Sequence, residues 1–191
     1  METIERIQAD LKTILSEKRY NHSLGVMKKA EELAKQYGED PNIAALVGLA
    51  HDIGKEIPNE EKLRYVKENN IKIDEVEEYN VGLLHDKIGA DITKKKYNFT
   101  EDMQKAIKYH TVADPNMNLL AKIIFVADKI EENRSYEKVE ELRKMAEINI
   151  DNCIIEILNY TIKENIDKGR LVHPNSVLTR NKLLLTHLET K

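Results

Sequence analysis

The chain has 191 residues, 41% of them hydrophobic and 34% charged, with a formal net charge of −4. That length fits one domain with a sizeable core, and the balance reads as soluble and globular, against broad nucleic-acid binding through a basic surface. No apolar run approaches the ~20 residues of a membrane span, the acidic amphipathic start Met1-Glu2-Thr3-Ile4-Glu5-Arg6 is unlike a signal peptide, and the lone Cys153 excludes a disulfide framework.

Ile4, Ile7, Leu11, Ile14 and Leu15 recur at helical spacing and mark an amphipathic first helix. A second helix runs from about Arg19 to Tyr37 and ends at Gly38. Within it His22 has Gly25 and Val26 one turn on, so it points to packed surface, away from the Lys28, Lys29 and Glu32 face. Asp40-Pro41 is an N-cap followed by proline at the first helical position, and it opens a third helix leading into His51-Asp52. Ala44, Val47 and Gly48 precede His51 at helical spacing and put it on the inward face, while Gly54 offers a helix stop right behind the pair.

Pro58-Asn59 breaks the chain, Glu60 to Asn69 reads as a charged surface helix, and Asp74 caps a short one. His85 is flanked at helical spacing by Val81, Gly82, Ile88 and Gly89. Thr100 caps a helix running through Met103, Ala106 and Ile107 to Tyr109-His110-Thr111, again with the histidine on the apolar stripe. Beyond Asp114-Pro115, Leu119 to Asp128 forms the most apolar helix, with Asp128 in line with Ala121 and Ile124. Two further helices, about Tyr136 to Glu147 and Asn149 to Asp167, bury Cys153 among Ile150, Ile154 and Ile157 as a core thiol. A turn through His173-Pro174 leads to a last helix, Ser176 to Leu188, carrying Thr179-Arg180-Asn181. With no repeat, low-complexity segment, glycine-rich phosphate loop or strand pattern, the expected class is all-α: one domain over 1–191, built as a helical bundle.

His22, His51, Asp52, His85, His110 and Asp128 share one property: each can bind a metal and each lies on an inward face. Imidazole and carboxylate suit zinc, iron, manganese or cobalt. A buried unpaired carboxylate is costly, and a metal is one of few partners that removes the cost. Six ligands exceed what one catalytic ion takes while leaving room for water. Two ions about 3.5–4 Å apart, bridged by a carboxylate and a hydroxide, would use them all and would clamp both oxygens of a phosphoryl displacement.

The ordered set His22, His51-Asp52, His85, His110, Asp128 on a helical scaffold resembles the HD-domain metal-dependent phosphohydrolases, the two middle histidines being those of the dinuclear branch. Arg19-Tyr20-Asn21-His22-Ser23, Ala50-His51-Asp52-Ile53-Gly54-Lys55, Tyr109-His110-Thr111, Ala127-Asp128-Lys129-Ile130-Glu131-Glu132-Asn133-Arg134 and Thr179-Arg180-Asn181 further resemble the bacterial YqeK-type symmetrical bis(5'-nucleosyl)-tetraphosphatases. His-Asp-Ile-Gly-Lys is also similar to the cyclic-dinucleotide phosphodiesterase branch, whose Gly-Tyr-Pro signature is absent. The resemblance implies symmetrical hydrolysis of diadenosine tetraphosphate to two ADP, generally with iron. It also implies a metal-site core over about 19–134, with C-terminal helices 136–188 completing the substrate pocket.

By that resemblance, and independently by charge, Arg19, Lys55, Arg134 and Arg180 are candidates to hold phosphate. Arg19, Lys55 and Arg134 adjoin the ligands in sequence and are expected at the mouth of the site; Arg180 and His173 rest mostly on the family. Thr111 offers a hydroxyl or backbone donor. Asp52 is expected to bridge the ions, and Asp52, Lys55 and Arg134 to act on the reacting phosphate. Substrate is expected to meet these cations, Thr111 and His173, together with the ligands His22, His85, His110 and Asp128. A nucleotidase or phosphodiesterase of other specificity, or a non-catalytic nucleotide-binding module, stands as the alternative. The expected setting is cytoplasmic, with neither nucleic acid nor membrane as partner, and a homodimer is left open.

Overall fold

The computed structural model describes residues 2–189, and every regular element among them is helical. Helix α1 (Glu2–Ile14) lays the fully buried Ile7 and Leu11 onto the bundle, while Ile14, which shares their spacing, is 49% exposed. Helix α2 (Glu17–Tyr37) starts behind the Ser16 cap and stops at Gly38 with φ 79°. Helix α3 (Pro41–Ala50) has Asp40 accepting from the amides of Asn42 and Ile43. Then follow α4 (Asn59–Glu68), α5 (Glu75–Tyr79) with a reciprocal cap between Asp74 and Glu77, and a 3-10 turn, Val81–Leu83, that feeds α6 (Leu84–Tyr97). Thr100 caps α7 (Glu101–Lys108) and Asn118 caps α8 (Leu119–Ile130). Helices α9 (Val139–Ile148), α10 (Ile150–Asp167) and α11 (Pro174–Glu189) complete the chain.

Helix α8 is the hub. Leu120, Ala121, Ile123 to Asp128 and Ile130 are all buried, and the helix packs against α2, α3, α7, α9 and α10. A helix this apolar, with only Lys122, Asp128 and Lys129 charged, has to be covered over most of its surface. A smaller cluster of Val66, Leu84 and Ile88, joined by Ile57, Tyr65, Ile71 and Val81, holds α4 and α6 together beside the main core.

Three expected boundaries move, each for a visible reason. Helix α3 ends at Ala50, and His51-Asp52 lie in the following turns, where Ile53 and Lys55 donate to the carbonyls of Ala50 and Asp52. Gly54 is therefore no left-handed stop; a Cβ there would stand 2.8 Å from the His85 carbonyl oxygen, so the glycine serves close approach to α6. Helix α7 stops at Lys108, placing His110 in a turn as well. Helix α9 begins at Val139 rather than Tyr136, because Arg143 donates to the carbonyls of Ile130, Glu131 and Arg134 and holds the preceding stretch as a loop.

Candidate metal centre

The histidine ligand candidates arrive on α2, on the turn after α3, on α6 and on the turn after α7; Asp128 comes from α8. Three of the four rings are set by their own backbone: Nδ1 of His51 meets the Gly48 carbonyl at 2.7 Å, that of His85 the Gly82 carbonyl at 2.7 Å, and that of His110 the Ile107 carbonyl at 2.6 Å. A carbonyl only accepts, so Nδ1 donates to it and Nε2 is the nitrogen that points into the cluster. His22 follows the same rule with a different partner, its Nδ1 lying 3.0 Å from Glu131 Oε1.

The Nε2 atoms fall into two groups. His22 Nε2 is 3.0 Å and His51 Nε2 3.8 Å from Asp128 Oδ1. His85 and His110 bring their Nε2 atoms within 3.2 Å of each other. Asp52 lies between: its Oδ2 is 3.8 Å from His22 and 3.4 Å from His51, its Oδ1 3.3 Å from His85 and 3.5 Å from His110. One carboxylate thus addresses both groups with a different oxygen.

Burial makes this arrangement expensive without further partners. His51, Asp52, His85, His110 and Asp128 are at most 5% exposed, and His51 Nε2 and Asp52 Oδ1 have no hydrogen-bond partner. Burial lowers the His51 pKa against the pull of Asp52, so its Nε2 keeps a lone pair. Burial also opposes ionisation of Asp52 and Asp128, yet the facing histidines hold Asp52, and Lys129, His22 and His51 hold Asp128, well below the usual carboxylate range. For His85 burial works downward, but Asp86 and Asp52 outweigh it and raise the ring to about 9. Inward-facing imidazole nitrogens and ionised carboxylates, gathered in overlapping triads whose ligand atoms lie within 4.8 Å of one another, are the donor set of a divalent transition metal, which would displace any proton held there, and the residues fit that group.

Three cations border the acidic side of this cluster. Arg19 Nη1 is 2.7 Å from Asp52 Oδ2, Arg134 Nη2 2.6 Å from Asp128 Oδ1, and Lys55 Nζ 3.0 Å from His85 Nε2; each is about one-third exposed. Thr111 Oγ1 donates to Asp86 Oδ1 at 2.9 Å and lies 3.4 Å from His85 Nε2. The polar contacts of His173 lie elsewhere: its Nε2 meets Asp74 Oδ2 at 2.9 Å and its Nδ1 accepts from the Asn175 amide, tying the last turn to the α5 cap. Those of Arg180 join α10 to α11 through Asn159 and Asn181.

Comparison with known proteins places this geometry. The HD domain family model matches residues 19–133. The chain belongs to the HD domain family. Among its curated relatives, the symmetrical bis(5'-nucleosyl)-tetraphosphatase of Halalkalibacterium halodurans is 37% identical over 92% of this chain and 94% of that one. Its counterpart in Bacillus subtilis is 35% identical over 94% and 97%. A crystal structure from Clostridium acetobutylicum, described as a "predicted HD superfamily hydrolase involved in NAD metabolism", superposes with a TM-score of 0.92 at 39% identity, covering 95% of this chain and 97% of the other.

The HD-domain match encloses all six ligand candidates together with two buried acids that the sequence reading passed over. Asp86, 3% exposed, sets Oδ1 2.7 Å from His85 Nε2 and 3.5 Å from His110 Nε2, so it is a seventh candidate ligand. The signal was available, since His85-Asp86 repeats the His51-Asp52 dipeptide. Glu131, 1% exposed, orients His22 and takes the Asn133 amide at 2.7 Å. It sits in an exposed-looking run of charges, and only the contact across 109 residues identifies it.

Proposed function

We propose that this HD-domain protein is a metal-dependent hydrolase that cleaves diadenosine tetraphosphate symmetrically into two ADP. The reading rests above all on the doubled donor set around Asp52, which suits a two-ion phosphoryl displacement, and on curated relatives of that name that align over more than nine-tenths of both chains.

In this reading His22, His51 and Asp128 would hold one ion, and His85 and His110, joined by Asp86, would hold the other, with Asp52 available to both. Iron is the proposed metal; manganese, cobalt or zinc suit the same donors. When bound, such a pair supplies a water activated near neutral pH and charge at the displaced oxygens. The protein's own contribution is placement. The carbonyls of Gly48, Gly82 and Ile107 and the Glu131 carboxylate fix the four rings, so no imidazole reorients during reaction. Arg19, Lys55 and Arg134, now resting on the acidic cluster, swing onto phosphate oxygens; the guanidinium groups bind in a bidentate way and Lys55 acts as a point charge. Thr111 anchors Asp86 beside the second ring pair. Among the described residues no serine or cysteine nucleophile joins the cluster, and Cys153 lies in the core, its thiol pushed up to about 12 by burial.

No helix among the described residues is long and apolar enough to cross a membrane. The cytoplasm is the proposed setting, since the chain has one cysteine and that one is buried.

Where the bond breaks is the test. Hydrolysis in oxygen-18 water should yield two ADP, one of them carrying a single heavy oxygen. AMP plus ATP would overturn the symmetrical reading, and label absent from both products would overturn direct attack by water.

A further inference from the structure

Arg143, on α9, reaches past its own helix to the end of α8. Its Nε donates to the Ile130 carbonyl at 2.9 Å, and its Nη2 to the carbonyls of Glu131 and Arg134 at 2.7 and 3.1 Å. The third nitrogen, Nη1, donates to Glu140 one turn earlier on α9. The last carbonyls of a helix have no partner within it, so a cation near them is favourable on general grounds. What singles out Arg143 is which carbonyls it takes. Ile130 and Glu131 close α8, Arg134 ends the short loop behind it, and one planar guanidinium pins both sides of that loop.

Docking of α9 does not require this contact. The helix is already seated by buried Val139, Leu142 and Ala146, with the Cys153 thiol donating to the Leu142 carbonyl at 3.4 Å. The pinned loop, in contrast, carries two side chains that meet the metal centre. Glu131 faces His22 Nδ1 at 3.0 Å and is held from within the loop by Asn133, whose amide and side-chain nitrogen donate to Oε2 at 2.7 and 3.0 Å. Arg134 donates from Nε to the Asp128 carbonyl at 2.8 Å and from Nη2 to Asp128 Oδ1 at 2.6 Å. We propose that Arg143 is a positioning residue: by fixing the 131–134 loop it sets His22 for metal and Arg134 for phosphate. The proposal rests on the hydrolase reading above and deepens it. Arg143 lies beyond residue 133, where the HD-domain match ends, so a helix outside the matched core governs geometry inside it.

The test compares full-length Arg143→Lys with Lys122→Met. Lysine keeps the charge but donates from a single point, so it cannot span three carbonyls. Lys122 pairs with Asp151 at 2.7 Å, so its loss weakens the contact of α8 with α10 away from the loop. Arg143→Lys should release metal to a competing chelator about tenfold more readily. It should also lower kcat/KM for diadenosine tetraphosphate about ten- to a hundredfold, as a displaced group does. Lys122→Met should lower Tm and leave both unchanged. In a Glu131→Gln background, Arg143→Lys should cost little further metal, and in Arg134→Ala little further kcat/KM, because the group it places is already gone. Additive losses in either background, the same losses in Lys122→Met, or wild-type values in folded Arg143→Lys would overturn the proposal. If Arg143→Lys does not fold, hydrogen exchange of chelated wild type decides. The amides of Asn133 and Arg134, which donate to Glu131, should stay protected without metal, and exchange at the rate of an unfolded chain overturns the proposal. A wild type that leaves diadenosine tetraphosphate intact would sink the hydrolase reading alone, since metal retention still reads the loop.

Discussion

Among the four candidate histidine ligands, His22 is the one whose Nδ1 meets a side chain rather than its own backbone. Glu131 reaches it from beyond α8, and the approach exists because residue 25 has no side chain: a Cβ at Gly25 would stand 2.3 Å from Glu131 Oε2. Carboxylate partners of this kind fix a ligand ring's tautomer and raise its basicity, and losing one typically weakens metal binding about 10–100-fold. Glu131→Gln keeps the shape and removes the charge, while Gly25→Ala keeps the charge and displaces it. Both variants should lose metal to a competing chelator about 10–100-fold more readily than wild type. Wild-type retention in both would mean that Glu131 does not orient His22.

Between elements, the turn after α3 comes close to the backbone of helix α6. Gly54 meets the His85 carbonyl oxygen and the Gly89 amide there, and this contact sets the distance between Asp52 and His85. An added methyl must push the two segments apart, an overpacking that costs roughly 1–3 kcal/mol and moves Asp52 relative to the second ring pair. Gly38 makes an apt control. It ends α2 at φ 79° with open space around it, so Gly38→Ala costs a similar amount, about 1–2 kcal/mol, through backbone strain alone. Thermal melts should show comparable losses of a few degrees in both variants. Specific activity should collapse only in Gly54→Ala; equal specific activities would show that this spacing does not govern the reaction.

For the molecule as a whole, the metal centre is also a stability problem. Four histidines and three aspartates meet in the interior, with His51 Nε2 and Asp52 Oδ1 unpartnered. Ions bound there act on the folded state alone, and at a hundred times Kd they add about 2.7 kcal/mol. For a chain of this size that amounts to roughly 5–10 °C in Tm. Chelation followed by calorimetry should lower Tm by that amount, and restored metal should recover it. The difference should shrink in acid, because protonated imidazoles release the ions. A Tm indifferent to chelator would show that the cluster does not hold metal in solution.

Local chemistry carried much of this protein in its sequence. Period, caps and punctuation marked the helices: the Asp40 cap, the Gly38 stop, the Asp74 cap and the largely apolar α8 are all in place. Donor type and inward spacing picked out His22, His51, Asp52, His85, His110 and Asp128, which the fold brings to one centre. These signals are legible because each depends on neighbours within two turns of the chain. Tertiary structure decided the rest. The roles of Asp86 and Glu131 follow from contacts to residues on other elements, and Gly54 took its meaning from a carbonyl on α6 rather than from its own φ. His173 and Arg180 went to the α5 cap and the α10–α11 contact, because a histidine or arginine binds whatever acceptor packing brings within reach. The 3.3 Å between Asp52 and His85 exists only where the turn after α3 meets α6, and no spacing along the chain encodes the distance between two packed elements.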